Sequence, residues 1–253
     1  MHHPAQPPEL VTDLSPTTWI EPRLEPWGWG RGVPVCSQVP TGFAVYLRLF
    51  HPAPDGRRWD RIAAQRYRFA HPLMQWEGLC RNQDEFVNGP MIGSLPEAEM
   101  RRLFCHLPAA DEVYYAFWNG FGLDHVAAGL DPERPGRVLG QGRRIDSWRT
   151  PLLELPSRGY VVLRGPLHPL ALVTRGQGEA PLEPEQSPNL IWPAEHTWFV
   201  ATEIDHRFTL IGGDEALATA LLDDPELEVA RVQPDDRIDY GGDTVNDKLP
   251  AWG

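Results

Sequence analysis

The sequence predicts an α+β fold in which helices pack on a largely antiparallel, mixed sheet of about six or seven strands. The chain of 253 residues contains 27 prolines and 23 glycines, which favours short elements separated by turns over a bundle of long helices. Apolar residues recur with strand spacing in some segments and with helical spacing in others. The hydrophobic content of 42% is typical of a chain that buries a core.

The first part of the chain predicts a tail, a strand and a helix. Residues 1–18 are rich in proline and polar side chains and predict a flexible tail, with order beginning near Trp19. The run 43–50 is rich in strand-forming residues and predicts a strand. A short amphipathic helix follows, and its predicted buried face consists of Trp59, Ile62, Ala63 and Tyr67.

The middle of the chain predicts a second helix, a strand and a long loop. Ser94 and Glu97 have the spacing of a capping box, in which two side chains bond the free amides at a helix start. The buried stripe of that helix is predicted to be Met100, Leu103, Phe104 and Leu107. An aromatic strand is predicted over 113–118. Residues 121–150 predict a long surface loop, because glycine, proline, aspartate and arginine interrupt any regular pattern.

The second half of the chain has the more regular pattern. Four strands are predicted over residues 152–155, 160–164, 197–204 and 208–211. Because 197–204 is apolar on both faces, it is predicted to lie centrally in the sheet. Asp214 is a suitable N-cap for a helix, and 226–231 predicts a last strand. Residues 19–253 are therefore predicted to form a single domain.

Charge and composition exclude several classes of partner. The formal net charge of -12 repels polyanions, so neither nucleic acid nor an acidic membrane surface is an expected partner. The sequence has no signal-peptide pattern and no apolar stretch of membrane-spanning length. Three cysteines without a C-x-x-C pair predict a reduced, cytoplasmic protein without a cysteine metal site. No cofactor-binding motif is present, and no cofactor or metal is predicted.

The densest group of potentially catalytic side chains is Glu203, Asp205 and His206, at the end of the predicted central strand. Strand alternation places Glu203 and Asp205 on one face, where two carboxylates and a histidine could act as general acid and base. The alternative is a hairpin tip whose polar side chains meet solvent, since turns favour such residues. Cys105 and His106 are sequence neighbours that diverge on a helix, and Cys105 is predicted to be packed.

Two further segments contain candidate binding residues. Trp27, Trp29 and Arg31 are interleaved with glycines, which allow close backbone approach, while tryptophan offers a stacking face and arginine a fork for carboxylate or phosphate. The alternative is an irregular segment held to the core by its tryptophans. A basic group in the long loop could bind an acidic partner, or could simply be solvated. Its candidate partner-binding residues are Arg137, Arg143 and Arg144.

Several segments together resemble an uncharacterised family of actinobacterial proteins. The similar segments are residues 39–43 leading to 50–53, the strand over 197–205, Gly212-Gly213, and Asp224-Pro225. This resemblance implies no activity and no residue roles. A second resemblance, to a superfamily of immunity and interaction proteins, is based on residues 92–96, the helix that follows them and Asn119-Gly120.

Two functions therefore remain open. The first is a cytoplasmic binding or protein-interaction domain, of the immunity type in one version, because tryptophan, tyrosine and arginine are the residues that interfaces favour. The second is a hydrolase or transferase that uses Glu203, Asp205 and His206 in a pocket. The sequence does not decide whether the protein is an enzyme.

Overall fold

The computed structural model describes residues 8–26, 32–121, 137–139, 151–156, 158–169, 171–173 and 186–246. Contacts group the chain into two compact units, whereas the sequence predicts one domain over 19–253. The first unit contains Met1–Pro22 and Ser94–Val200, and the second contains Arg23–Gly93 and Ala201–Gly253.

Short strands make up much of both units. In the described residues they are β1 (Glu9–Leu10), β2 (Val45–Phe50), β3 (Val113–Trp118), β4 (Arg137–Leu139), β5 (Leu153–Leu155), β6 (Arg158–Gly165), β7 (Ala171–Val173), β8 (Leu190–Pro193), β9 (Phe199–Ala201), β10 (Phe208–Gly213) and β11 (Val229–Val232). The α-helices described are α1 (Trp59–Gln65), α2 (Trp76–Leu79), α3 (Gln83–Val87), α4 (Glu97–His106) and α5 (Glu215–Leu222). Single turns of 3-10 helix occur at Ser15–Thr17, Glu21–Arg23, Val35–Ser37 and Asn119–Phe121.

The first unit is built on antiparallel pairing around β6. This strand pairs with β1, β3 and β5, β3 also pairs with β8, and β9 lies beside β8. Most apolar side chains of β3 and β8 are buried, and Tyr115 and Trp192 are fully so, while Trp118 at the end of β3 is partly exposed. Strands β4 and β7 form a separate parallel pair, so a short strand lies within the predicted 121–150 loop.

In the second unit, β2 lies between β10 and β11 and pairs antiparallel with both. Every residue of β2 is buried, because neighbouring strands cover both of its edges. Helix α5 packs against β2 and β11. A buried apolar cluster joins the end of β2 to the first two helices. Its members are Phe50, Ala53, Trp59, Ile62, Ala63, Met74, Trp76, Leu79 and Cys80.

The predicted α+β class with a largely antiparallel sheet is confirmed. The main sheet contains nine strands, more than the six or seven predicted, because the sequence pattern predicts neither β1, which has two residues, nor β8. Strand β1 lies within the predicted tail of residues 1–18. The predicted strand over 113–118 is confirmed at both ends, and Asp214 caps α5 by accepting the Leu217 amide at 2.8 Å. No helix among the described residues has the length and apolar character needed to cross a bilayer.

Three local predictions are wrong for identifiable reasons. Ser94 does not cap α4, because its hydroxyl accepts the Ser187 amide at 2.8 Å while Ser187 accepts the Leu95 amide at the same distance. The strand predicted over 197–204 is shortened to β9, since turns flank it on both sides. Tyr67 is not on the buried face of α1, because its ring is 96% exposed.

Tyr67 occupies a position that normally belongs to glycine. The Arg68 amide bonds to the Ala63 carbonyl at 2.9 Å and the Tyr67 amide to the Ala64 carbonyl at 3.4 Å, which is the Schellman pattern at a helix end. That pattern requires a left-handed backbone, and Tyr67 has a φ of 56°. A bulky residue there is strained, since side chains other than glycine disfavour this region.

Replacing Tyr67 with glycine should therefore raise the free energy of unfolding by about 1 kcal/mol. Urea unfolding followed by tryptophan fluorescence measures the change. Tyr67→Ala is the matched control, because it removes the exposed ring and keeps the backbone strain. Equal stabilisation by alanine and glycine would show that the backbone conformation is not the cause.

Candidate ligand-binding cavity

A cavity of about 220 Å³ lies within the second unit. Seven of the thirteen lining residues are aromatic or apolar, and six are charged or polar. The aromatic and apolar lining residues are Trp59, Trp76, Phe86, Ile92, Phe208, Ile238 and Tyr240. The polar lining residues are Gln75, Glu77, Asp205, His206, Arg207 and Asp239. An apolar pocket with a few convergent polar groups is the usual form of a ligand site.

Trp59 is held in the wall by hydrogen bonds from its backbone amide and from its indole nitrogen. The Glu228 carboxylate accepts the Trp59 amide at 2.5 Å and the Asp60 amide at 2.7 Å, so it caps the first turn of α1. The indole Nε1 donates to the His51 carbonyl at 2.7 Å. Burial raises the pKa of Glu228, which the two amide bonds partly oppose. This capping carboxylate, which comes from the residue before β11, sets the position of the indole.

Trp76 forms the adjacent part of the wall. Its indole Nε1 donates to the Glu85 carbonyl at 3.1 Å, and its ring centroid lies 5.4 Å from that of Trp59. Gly89 passes so close that a Cβ atom there would lie 2.2 Å from the same indole nitrogen. Only glycine permits this approach, which explains the residue type at position 89.

The predicted catalytic cluster lies at a turn beside the cavity. The His206 amide donates to the Glu203 carbonyl at 3.0 Å, and the Asp205 amide donates to Glu203 Oε2 at 3.2 Å. The His206 ring stacks on Phe208 at 4.5 Å, and its Nδ1 lies 3.3 Å from Gln38 Nε2. Asp205 and His206 line the cavity, while Glu203 is not among the described lining residues. Glu203 instead supports the turn, as the hairpin-tip alternative requires.

Arg207 uses its guanidinium to hold the segment after α3. Nη2 donates to the Phe86 carbonyl at 2.8 Å, and Nη1 donates to the Pro90 carbonyl. The guanidinium carbon also lies 5.3 Å from the centroid of the Phe86 ring. Burial lowers the pKa of Arg207, while the Glu77 carboxylate acts in the opposite direction. The positive charge of Arg207 therefore has a structural role.

A second arginine lies behind the aromatic wall. Arg48 is fully buried in β2, with its guanidinium carbon 3.8 Å from the Phe208 centroid and Nη1 bonded to the Pro72 carbonyl at 2.9 Å. Nε and Nη2 have no hydrogen-bond partner among the described residues. Burial lowers the pKa of Arg48 to about 9, against the attraction of nearby carboxylates, the first of which is Glu77. Arg48 is not among the described lining residues.

A buried hydrogen-bonded chain ends at the edge of the cavity. His51 Nδ1 lies 2.7 Å from the Met91 carbonyl, which can only accept, so this nitrogen carries the proton. Nε2 then accepts from the Thr209 hydroxyl at 3.0 Å, and Thr209 accepts from the Thr202 hydroxyl at 2.8 Å. Burial lowers the pKa of His51 to about 4. The histidine is therefore neutral and holds the backbone next to Ile92.

The charges that line the cavity are mainly negative. Glu77 is partly buried, lines the cavity and makes no hydrogen bond or ion pair with a described residue, and its charge acts on the nearby guanidinium groups of Arg48 and Arg207. Asp239 accepts the Val33 and Gly241 amides at 2.7 Å each and Arg237 Nε at 2.6 Å. Burial alone would raise the pKa of Asp239, but these bonds lower it. Asp239 is therefore ionised.

The remaining sequence candidates do not join this site in the described structure. Trp27, Trp29, Arg31, Arg143 and Arg144 lie outside the described residues. Arg137 begins β4, and its side chain also lies outside them.

Two further points concern the exposure of Cys105 and the grouping of side chains that could bind a metal. Cys105 is exposed on α4, so the prediction of a packed cysteine is wrong. Within the described residues, no group of three or more histidine, cysteine, aspartate or glutamate side chains is arranged to hold a metal ion.

Comparisons with protein-family models, curated proteins and solved structures find no match to this chain. The resemblance to an actinobacterial family stays a prediction, and the site is interpreted from its own geometry.

Sequence reasoning missed the residues that form most of the cavity. The sequence pattern places Trp59 on the buried face of a helix and predicts no role for Trp76 or Glu77. The sequence offers no local signal for this wall, because Trp76 and Glu77 are neighbours on helix α2, whose side chains diverge.

Proposed function

We propose that this chain is a cytoplasmic binding protein and that the cavity in its second unit takes the cationic group of a ligand. The observation that carries the proposal is the half-buried Glu77 carboxylate in a wall with five aromatic side chains. Aromatic rings attract organic cations, as the guanidinium groups of Arg48 over Phe208 and of Arg207 over Phe86 illustrate, and the Glu77 carboxylate would add an ion pair to a bound cation. The net charge of -12 attracts the same class of ligand over longer distances.

An anionic ligand is less well supported by the same wall. Arg207 donates one N–H from each terminal nitrogen to a backbone carbonyl, which holds its guanidinium against the segment from Phe86 to Pro90. Arg48 is fully buried behind Phe208 and is not among the described lining residues. Three carboxylates, those of Glu77, Asp205 and Asp239, and one arginine line the cavity, and Asp239 is already paired with Arg237.

A hydrolase or transferase remains the second candidate function, favoured by Asp205 and His206 lining the same cavity. Against it, Glu203 bonds the amide of Asp205, and the His206 ring is stacked on Phe208. A general base needs hydrogen-bond reach to the proton that it removes. Hydrolysis of an aryl ester by the wild-type protein, abolished in His206→Ala, would favour this candidate over binding alone.

Ethylguanidinium is a suitable probe for the cationic site. We expect it to bind with quenching of tryptophan fluorescence, and we expect Glu77→Gln to weaken binding about tenfold, which is about 1.4 kcal/mol. Glu195→Gln is the matched control, because it removes one exposed carboxylate from the first unit and leaves the cavity intact. Equal binding of the neutral isostere ethylurea would contradict the proposal.

A further inference from the structure

A buried positive charge lies beside two of the rings that line the cavity. The guanidinium carbon of Arg48 is 3.8 Å from the ring centroid of Phe208 and 5.9 Å from that of Trp59. Both rings line the cavity, whereas Arg48 is fully buried and is not among the described lining residues. The charge of Arg48 therefore acts on the cavity at short range, although its side chain does not form the cavity surface.

Arg48 has no counter-ion in direct contact among the described residues. Its Nη1 donates to the Pro72 carbonyl at 2.9 Å, while Nε and Nη2 have no hydrogen-bond partner in the described part of the chain. A buried charge without a partner destabilises a fold, and an apolar side chain of similar size would fill the same space at lower cost. Packing alone therefore does not account for the charge at position 48.

Glu77 is the carboxylate on which this charge depends most. Of the carboxylates that attract Arg48, Glu77 has the largest effect, and it attracts Arg207 as well. Glu77 lines the cavity and makes no hydrogen bond or ion pair with a described residue. Two arginines therefore balance its charge from a distance, in an interior where charges are weakly screened.

The same arginines also contact the aromatic rings that would attract a cation. Arg48 lies over Phe208, and the guanidinium carbon of Arg207 is 5.3 Å from the centroid of Phe86. A ring that already holds one cation attracts a second one less, since the second also meets the charge of the first. The cavity therefore both attracts and repels cations, and the balance between Glu77 and Arg48 decides how much positive charge a ligand can carry.

We infer that Arg48 limits the cavity to monovalent organic cations, because it competes with the ligand for the Glu77 carboxylate and repels a second positive charge. The inference rests on the proposed function, since it names the charge class of the same ligand. One positive charge on the ligand can pair with Glu77. A second charge has no comparable partner, because Asp239 is already paired with Arg237 at 2.6 Å and Asp205 is exposed, where water screens its charge.

Neutral substitution of Arg48 tests this inference. We expect Arg48→Met to bind ethylguanidinium about tenfold more tightly than the wild-type protein does, because the removed charge no longer competes for Glu77. Methionine fills a similar space without a charge, so urea unfolding should find the variant at least as stable as the wild type. Arg48→Gln is a second neutral variant for the case in which the first does not fold, since its amide can still donate to the Pro72 carbonyl.

Arg231→Met is the matched control for both variants. It changes the net charge by the same amount in the same unit, but Arg231 is exposed, is paired with Glu215 and is not among the described lining residues. We expect this control to change the affinity for ethylguanidinium less than twofold, because solvent screens an exposed charge.

Two ligands of equal size test the charge limit itself. Propylguanidinium and 2-aminoethylguanidinium have the same number of non-hydrogen atoms, but only the second carries two positive charges. We expect the wild-type protein to prefer propylguanidinium, and we expect this preference to fall about tenfold in Arg48→Met and to persist in Arg231→Met. Comparison between proteins cancels the stronger hydration of the ammonium group, which is the same in each.

The outcomes separate this inference from the proposed function. Unchanged or weaker ethylguanidinium binding by a folded neutral variant at position 48 would overturn the inference and leave the proposed function in place. An equal gain in Arg231→Met, or the same preference between the two ligands with and without Arg48, would also overturn it. If ethylguanidinium binds neither the wild-type protein nor the variants, the proposed function fails and the inference fails with it.

Discussion

Replacing Gly93 with alanine should lower the free energy of unfolding of the second unit by about 3 kcal/mol. Two effects add at this position. The backbone has a φ of 74°, which costs a residue with a Cβ atom about 1 to 2 kcal/mol. The added Cβ would also lie 2.5 Å from the Ile204 carbonyl oxygen, a backbone atom that has no rotamer through which to move aside.

The control for this prediction is Gly56→Ala. Gly56 has a φ of 78°, and a Cβ atom there would meet nothing within 4 Å. Both variants therefore carry the cost of a left-handed backbone, but only Gly93→Ala adds a collision. The difference between their free energies of unfolding isolates the close approach of Gly93 to Ile204. Urea midpoints and slopes for both variants measure it. Equal losses would mean that the two backbones do not approach as closely as described.

The stability of the protein should fall by about 3 kcal/mol between pH 6.5 and pH 4 through His51 alone. Burial lowers its pKa from 6.5 to about 4, so the unfolded chain takes up a proton in this interval and the folded protein does not. The unfolded state binds more protons there, so the free energy of unfolding decreases as the pH decreases. The interval corresponds to about 1.4 kcal/mol per pH unit.

Comparison with His51→Asn isolates this contribution. The asparagine amide can donate to the Met91 carbonyl in place of Nδ1, but it does not titrate. Urea unfolding at several pH values should show a shallower dependence for the variant, while carboxylate contributions remain in both proteins. Parallel stability curves for the two proteins would refute neutral His51.

Elements defined by local pattern were predictable from the sequence. Strand β3 combines aromatic strand formers with a turn signal, and its limits were predicted at both ends. The Asp214 cap depends on one side chain and an amide three residues later, so local reasoning sufficed. Ser94 fits an equally good local pattern, but its hydroxyl bonds to Ser187, which lies 93 residues further along the chain.

The cavity depends on long-range contacts that local periodicity does not encode. Its position follows from the packing of Trp59 with Trp76, and Trp59 is oriented by Glu228 from a distant segment. Only Asp205 and His206 of the predicted site lie at the cavity. The polarity of these two residues and their position in a turn are evident from the sequence. The aromatic wall beside them forms only in the tertiary structure.

The contacts that hold the segment from Phe86 to Met91 have an evolutionary consequence. Arg207 and His51 bond to main-chain carbonyls of Phe86, Pro90 and Met91, and every residue type offers the same carbonyl. Substitutions at positions 87 and 91 therefore leave these anchors intact. Side chains on this segment can therefore change without loss of the contacts that hold its backbone.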